Sequence, residues 1–259
     1  MRRFTQIVFL LLLGATGVFA EDKKEEKKKP EPPRVVVILP LGITPGTTNK
    51  IKIRGLNLTN VTELRFSDTN LHADVTIKSK GKADVPKETD VKTVGDTQLE
   101  VELKLPSTAP VGTNSFTLIS PDGESPTYSL ITVPAGLLFA EKEPNGSFRE
   151  AQSLEFGKTV QGSIHEAKDV DVFRLSGHAG QTIVAEVRAA RSGAALDSIL
   201  TVYDEHGHVL ATNDDADETG NDSVLRVRFP ADGVYFLSLI DAHDKGGPTH
   251  VYLLTVKPE

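Results

Sequence analysis

The chain has 259 residues, a length that favours two domains over one. It contains no cysteine, which excludes disulfides, thiolate metal sites and a cysteine nucleophile. Once Arg2 and Arg3 of the predicted leader are set aside, 27 basic residues remain against 36 acidic ones, and this formal charge of −9 argues against nucleic acid as a partner.

Residues 1–20 have the pattern of a secretory signal peptide. Arg2 and Arg3 give a basic start, residues 7–13 are apolar, and residues 18–20 form a small-residue cleavage site. The apolar run is too short to span a bilayer, so we expect no membrane span after removal of the signal. An uncleaved anchor is the alternative. We therefore predict a secreted protein that resides in the periplasm, at the cell surface or in the extracellular space.

Residues 21–33 form a charged linker that ends in prolines. Lys27, Lys28 and Lys29 lie among nearby glutamates, which almost neutralise them, and Pro32 and Pro33 follow. The segment is too polar to bury an apolar face, so we expect a solvated tether. Contact of the lysines with an anionic surface is the alternative interpretation.

Residues 34–134 show the two-residue apolar alternation of β-strands. The predicted strands occupy residues 35–39, 50–54, 100–105, 116–118 and 128–131, and glycine and proline turns separate them. The Ala109-Pro110-Val111-Gly112-Thr113 and Pro121-Asp122-Gly123 turns resemble those of an immunoglobulin-like domain of the IPT/TIG type. This resemblance implies a β-sandwich that acts as a spacer or a protein-binding module and has no catalytic residues.

A second alternating segment, residues 138–259, begins with acidic residues. Glu141, Glu143 and Asn145 precede its first core strand, and Asp169 and Asp171 come directly before Phe173. Carboxylate and amide oxygens are the ligands that a hard cation such as calcium requires, and the fold can bring two such groups together. The alternative is that the glutamates are solvated and the aspartates cap a turn.

The order of short motifs in this segment is specific. It runs Glu143-Pro144-Asn145, Val160-Gln161-Gly162, Asp169-Val170-Asp171-Val172-Phe173, Leu196-Asp197-Ser198, Asn213-Asp214-Asp215 and Asp232-Gly233-Val234-Tyr235. Over about residues 138–257 the series resembles the bacterial pre-peptidase C-terminal domain of secreted proteins.

The resemblance implies a calcium ion held by Glu141, Glu143, Asn145 and Asp171, with help from Asp169. Two positions depart from the fullest form of the family pattern. Gly146 stands where an aspartate is frequent, and Lys168 replaces an acidic residue. A missing carboxylate and an added cation both weaken a divalent site, so we expect weak binding, in the range of about 10⁻⁴ to 10⁻³ M.

Other acidic residues suggest a second site. Asp197 and Asp204 could join Asp214 and Asp215 if their loops meet at one end of the sandwich. A solvated hairpin tip is the alternative. Residues 213–218 do not fit an EF-hand loop, because the sixth position is Glu218 and no helices are predicted beside it.

The sequence lacks the motifs of common enzymes. It has no Gly-x-Ser-x-Gly turn, no His-Glu-x-x-His helix and no phosphate-binding glycine loop, and its seven histidines show no ligand pairs. A catalytic triad assembled from scattered residues, or a glycosidase pair made of Glu141 and Glu143, is the enzymatic alternative. We predict a protein that is not an enzyme.

Together these features predict an all-β protein with two β-sandwich domains, immunoglobulin-like and then jelly-roll-like. We expect a secreted, non-catalytic binding or adhesion protein of the bacterial cell envelope or extracellular space, stiffened by calcium at the domain junction. Its partner would be an extracellular protein or a polysaccharide. The alternatives are an accessory or targeting component of a secreted peptidase system, and a purely structural envelope protein.

Overall fold

The computed structural model describes residues 30–216 and 220–259. The predicted signal peptide and residues 21–29 of the predicted tether lie outside this described part. Residues 31–259 form one compact unit. Pro33, the last residue of the predicted tether, is buried, and the first strand begins immediately after it.

Two sheets are built from the N-terminal half. Their strands are β1 (Arg34–Leu39), β2 (Gly42–Ile43), β3 (Thr48–Leu56), β4 (Glu63–Phe66), β5 (Asp74–Lys82), β6 (Thr97–Lys104), β7 (Gly112–Ser120), β8 (Gly123–Glu124) and β9 (Tyr128–Thr132). The first sheet has the order β1-β3-β6-β5 and the second β2-β9-β7-β4, with β8 paired to β7. A single helical turn, α1 (Val91–Val94), and a short 3-10 turn (Leu58–Asn60) connect strands.

The core of this half lies between its two sheets. Alternate residues of β3 and β6, such as Ile53 and Leu103, are fully buried and pack against Phe116 and Leu118 of β7. The opposite faces of β3 and β6 carry lysine and glutamate, including the Lys52–Glu100 ion pair. One buried and one solvated face is the arrangement that two-residue alternation predicts.

Two further sheets are built from the C-terminal half. Their strands are β10 (Leu138–Ala140), β11 (Gln152–Ser153), β12 (Thr159–Ser163), β13 (Asp171–Gly177), β14 (Thr182–Arg188), β15 (Ser198–Tyr203), β16 (Val209–Asn213), β17 (Val224–Arg228), β18 (Gly233–Asp241) and β19 (Val251–Pro258). A short 3-10 turn (Ala190–Ser192) follows β14. The sheet orders are β10-β12-β19-β14-β17 and β11-β13-β18-β15-β16. The pairs β10/β12 and β11/β13 are parallel, whereas all the other pairs in these two sheets are antiparallel.

The predicted all-β fold class is confirmed. The two C-terminal sheets enclose a second core in which Tyr252 and Leu254 of β19 pack with Phe173 of β13 and Leu237 of β18. In the described part of the chain, no helix is long and apolar enough to cross a membrane.

The two halves share part of one core. Val37, Leu41, Ile131 and Val133 of the N-terminal half belong to the C-terminal apolar cluster. At the contact, Gly42 donates its backbone N–H to the side chain of Gln161. The predicted chain division near Pro134 separates the sheets but not their packing, and independent folding of the two domains stays a prediction.

Candidate metal centre

The acidic residues flanking the first strands of the C-terminal sandwich come together at its edge. Strand β10 ends at Ala140, so Glu141, Glu143 and Asn145 lie on the segment that leaves it. Asp171 is the first residue of β13, in the other sheet. One carboxylate oxygen each of Glu143, Asp169 and Asp171 lie within 4.8 Å of one another.

Two of these side chains are buried with an unused acceptor. Asn145 and Asp171 are both 0% exposed. Asn145 Oδ1 and Asp171 Oδ1 have no hydrogen-bond donor among the described residues. Leaving a buried acceptor unsatisfied costs about 1–3 kcal/mol. These two oxygens lie near the carboxylates of Glu141, Glu143 and Asp169. A bound cation would satisfy such an arrangement.

Glu141 is an anchor of the site. Its Oε1 accepts hydrogen bonds from Asn145 Nδ2 (2.9 Å) and the Tyr252 hydroxyl (2.6 Å), and its Oε2 accepts from the Ser163 backbone N–H (2.9 Å). Gly162 makes this approach possible, because a Cβ there would lie 2.5 Å from Glu141 Oε2. Three of the roughly four acceptor positions of the carboxylate are therefore used.

Tyr252 connects the two sheets through the same carboxylates. Its hydroxyl lies 2.6 Å from Glu141 Oε1 and 2.7 Å from Asp171 Oδ2. One hydroxyl carries one hydrogen and cannot donate to both oxygens. A proton on Asp171 supplies the second hydrogen, so that Asp171 donates to Tyr252 and Tyr252 donates to Glu141.

Electrostatics agree with this protonated state. Burial, followed by the neighbouring charge of Glu141, raises the pKa of Asp171 to about 9. Burial also raises the pKa of Tyr252 well above its ordinary value, and Asp171 and Glu141 add to the shift. Without a cation, the site therefore holds Asp171 neutral and Tyr252 as the phenol at pH 7.

Glu143 and Asp169 form the more exposed side of the site, together with His165. Glu143 accepts the Asn145 backbone N–H at 3.0 Å, and its other oxygen lies 3.1 Å from His165 Nδ1. Asp169 accepts the backbone N–H groups of His165 (2.7 Å) and Val170 (2.9 Å). Both carboxylates have lone pairs that these bonds do not use, and one oxygen of each lies within 4.8 Å of an oxygen of Asp171.

Sequence reasoning missed three contributors. Tyr252 is 111 positions from Glu141, and a tyrosine within a strand pattern indicates only a core residue. Ser163 contributes a backbone N–H, which no side-chain pattern reveals. His165 belongs to no pair of histidines with ligand spacing in the sequence, yet one of its nitrogens lies within 4.8 Å of ligand atoms of Glu141 and Glu143. Its proximity to Asp169 in sequence was the one available signal.

The two departures from the family pattern are now located. A Cβ on Gly146 would lie 3.5 Å from the Val170 carbonyl oxygen, an ordinary van der Waals contact. Lys168 is exposed and forms no ion pair among the described residues. The lysine therefore does not fill the site in place of a cation.

The second acidic group is only partly assembled. Asp197, Asp214 and Asp215 place one oxygen each within 4.8 Å of one another, and Asp197 also pairs with His243 Nδ1 at 3.3 Å. Asp204 lies elsewhere: it accepts the backbone N–H groups of His206 and His208 in the β15–β16 turn. Asp217 and Glu218 lie outside the described residues.

The residues at the first site fit a calcium ion. The set is rich in oxygen, with side-chain oxygens of Glu143, Asn145, Asp169 and Asp171 available and Glu141 close by. Calcium takes six to eight oxygen ligands, some of which are commonly water. Four to five protein groups on two segments therefore suit a weak extracellular site.

Comparisons with known proteins match parts of this chain. A segment of 100 residues, 38% of this chain, is 42% identical to a probable subtilase-type serine protease of Deinococcus radiodurans. That segment covers 14% of the protease, so the chain spans about a seventh of the length of this relative.

Two solved structures also match part of this chain. The pre-peptidase C-terminal domain of a Bacillus anthracis collagenase is 18% identical, with a TM-score of 0.35, and the match covers 45% of this chain and all of that domain. A periplasmic inhibitor of g-type lysozyme from Aeromonas hydrophila is 16% identical, with a TM-score of 0.34 and coverage of 42% and 96%.

A family comparison locates the resemblance along the chain. The matched residues run from Asp169, which precedes β13, to Ile240 near the end of β18. Asp169 and Asp171 lie inside the match, whereas Glu141, Glu143 and Asn145 precede it. Residues 169–240 therefore match the bacterial pre-peptidase C-terminal domain, which confirms the predicted resemblance for this part of the chain.

Proposed function

We propose that this chain is a secreted, non-catalytic binding protein of the cell envelope or extracellular space, stiffened by one structural calcium ion. The observation that carries the proposal is the pair of buried, unpartnered oxygens on Asn145 and Asp171 beside further carboxylates. Folding a protein around two unsatisfied acceptors is costly, and a resident cation removes that cost.

The ion would supply positive charge to these oxygens, and the side chains around it would hold it in place and orient its ligands. Asn145 and Asp171 would hold it from the buried side, and Glu143 and Asp169 from the exposed side. Glu141 would orient Asn145 by accepting its amide N–H, while Tyr252 would fix the Asp171 carboxylate. These residues belong to both sheets of the sandwich, so their common ligand would tie the sheets together.

A stiff edge at this place would also steady the junction between the halves. A cavity of about 550 Å³ lies between Leu39–Leu41 of the N-terminal half and Glu141, Glu143 and His165 of the site. The shared core around Leu41 packs beside it. We propose the IPT/TIG type for residues 34–134, with the ion fixing how the two modules present a binding surface.

The partner in this proposal is an extracellular protein or a polysaccharide. An accessory or targeting role in a secreted peptidase system is the second candidate. It is favoured by the 42% identity to part of a probable serine protease. In that role the chain would associate with a peptidase, and co-purification from the native medium would distinguish it.

Isothermal titration calorimetry with calcium tests the metal centre directly. We expect one ion per chain for the wild type, with a Kd on the order of 10⁻⁴ to 10⁻³ M. Binding should be lost in the Glu143→Ala/Asp171→Ala double variant. The matched control is Glu124→Gln, which removes an exposed carboxylate of the N-terminal half. This variant should bind calcium as the wild type does. A wild type without heat of binding at millimolar calcium would rule out the proposed ion.

A further inference from the structure

A groove runs along the open side of the C-terminal sandwich. It lies between β10 and β11, each of which is the edge strand of its own sheet. We call this the edge groove and define it by Phe139, Ala140, Gln152, Ser153, Leu154 and Val160, which line a space of about 520 Å³. This volume lies within the range of about 300–1,000 Å³ that is typical of ligand-binding clefts.

Strand β10 has backbone groups on the side that faces away from β12, where Ala140 lines the groove. Thr159 donates its N–H to the Leu137 carbonyl, and Glu141 donates its N–H to the Gln161 carbonyl. Along a strand in a parallel pair, alternate residues direct both their N–H and C=O to the same neighbour. Leu137, Phe139 and Glu141 therefore face β12, while Leu138 and Ala140 present their backbone groups on the opposite, open side.

An amide group already binds to this edge. The Gln152 side chain donates from Nε2 to the Ala140 carbonyl (3.1 Å) and accepts the Lys142 N–H at Oε1 (2.8 Å). A peptide group of an adjacent strand would make the same pair of bonds. The Gln152 side chain bonds only the Ala140 carbonyl and the Lys142 N–H. The N–H and C=O of Leu138 and the N–H of Ala140 are therefore available to another strand.

The floor of the groove is apolar. Phe139 is a register partner of Val160, so both project from the same face of the sheet, toward the sandwich interior. Val160 and Leu154 are buried, whereas Phe139 remains 38% exposed because no strand covers the edge. The ammonium of Lys158 lies 4.6 Å from the ring centroid of Phe139 and leaves much of the ring uncovered.

The rim of the groove carries charges of both signs, with Lys142 and Lys158 beside Glu143, Glu150 and Glu155. Lys158 is paired with Glu155 at 2.7 Å, and Glu150 accepts the Ser147 hydroxyl. Lys142 also lines the groove and forms no ion pair among the described residues. An acidic side chain near Lys142 would therefore find a free cation at the end where Gln152 closes the edge.

We propose that the edge groove binds an extended peptide segment of a partner protein by strand addition to β10. The peptide would pair with Leu138 and Ala140, place alternate apolar side chains on Phe139, and present an acidic residue to Lys142. A polysaccharide cannot supply alternating N–H and C=O groups at strand spacing, which favours a peptide. This inference rests on the proposed binding role and names its partner class, but it does not depend on calcium.

Ala140→Pro is the sharpest variant for a test. It removes one N–H that faces the groove and that β12 does not use, and proline is tolerated on edge strands in this position. Ala140→Gly is the matched control, because it changes the side chain and keeps the N–H. Thermal melts of both variants establish that they fold.

The probe is a random twelve-residue peptide display library, panned against residues 21–259. An enriched peptide is then synthesised and its affinity measured by fluorescence polarisation. We expect the wild type and Ala140→Gly to bind alike and Ala140→Pro to bind about tenfold more weakly or not at all. Amide hydrogen exchange of Leu138 and Ala140 in the wild type should slow in the complex.

Three outcomes would overturn the inference. They are a panning that enriches no peptide, equal affinity of Ala140→Pro, and exchange at Leu138 and Ala140 that the peptide leaves unchanged. Protection of these amides by self-association without peptide would assign the edge to a second copy of the chain instead. The exchange measurement needs only the wild type, so it decides the question even if the proline variant fails to fold. Calorimetry with calcium, run separately, tests the metal centre independently.

Discussion

Replacement of Asp171 by asparagine separates the effect of the cation from that of the fold. Asp171 is fully buried, and burial raises its pKa to about 9, so the ion-free protein holds it neutral at pH 7. Asparagine has nearly the same shape and carries no charge. Asp171→Asn should therefore leave the ion-free protein as stable as the wild type while removing a carboxylate that calcium needs.

The size of the calcium effect follows from mass action. With a Kd of about 10⁻⁴ to 10⁻³ M and free calcium of about 10 mM, binding to the folded state contributes about 1.4 to 2.7 kcal/mol. A compact unit of this size gains roughly 2–4 °C in Tm per kcal/mol. The wild type should consequently melt roughly 3 to 11 °C higher in calcium than in chelator.

Differential scanning calorimetry at matched ionic strength measures both quantities. Asp171→Asn should melt near the wild type in chelator and gain little from calcium, while Glu124→Gln should follow the wild type in both buffers. An equal calcium shift in Asp171→Asn would show that the ion binds elsewhere. A wild-type shift no larger than that produced by sodium chloride would refute the metal centre itself.

Three further predictions concern other residues. Gly146→Asp should tighten calcium binding by about tenfold in calorimetry, because the added Cβ makes only an ordinary contact with the Val170 carbonyl and the carboxylate adds a ligand; unchanged or weaker binding would contradict this. Burial lowers the pKa of His250, so the unfolded chain binds this proton more readily and stability should fall as pH drops below about 6.5. His250→Gln should reduce that acid sensitivity in urea melts, whereas the exposed control His206→Gln should not. Leu41→Ala removes a buried side chain from the shared core and should lower the free energy of unfolding by about 2–5 kcal/mol in urea titrations; a loss below about 1 kcal/mol would show that the contact between the halves is not structural.

Strand prediction succeeded where one face is buried and the other solvated. In β6, apolar residues alternate with glutamate and lysine, and the buried positions coincide with the apolar ones. In β3, Ile51 and Ile53 are buried as the alternation predicts, but Arg54 and Gly55 are buried as well. Prediction failed for β5, which is an edge strand with only partly buried and exposed residues. Strand β4 is absent from the predicted strands although its four residues alternate between exposed and buried, because so short a run gives little periodic signal. Strand β16 has no buried position at all. Such strands exist because a neighbour pairs with them, a fact that alternation within the strand does not record.

The residues of the candidate metal centre could be predicted from local sequence, whereas their geometry could not. Glu143 and Asp171 are 28 positions apart, and their meeting depends on the packing of two sheets, one with β10 at its edge and the other with β13 next to its edge strand β11. Tyr252 entered the site from β19 at the far end of the chain. In the sequence, Tyr252 has the pattern of any buried strand residue. The acceptors of its hydroxyl lie far away in the chain, so the pattern around Tyr252 does not reveal them.

What the sequence determined by itself was local: the period of the strands, the turns between them, the acidic composition and the oxygen ligands available to a cation. These follow from backbone sterics and from the preference of side chains for water or for the core. Only the tertiary structure decided which oxygens are buried without a donor, which strands are left at an open edge, and that both halves share a core. Those properties depend on groups distant in sequence, and the energy of a buried polar group is set by the neighbours that folding brings to it.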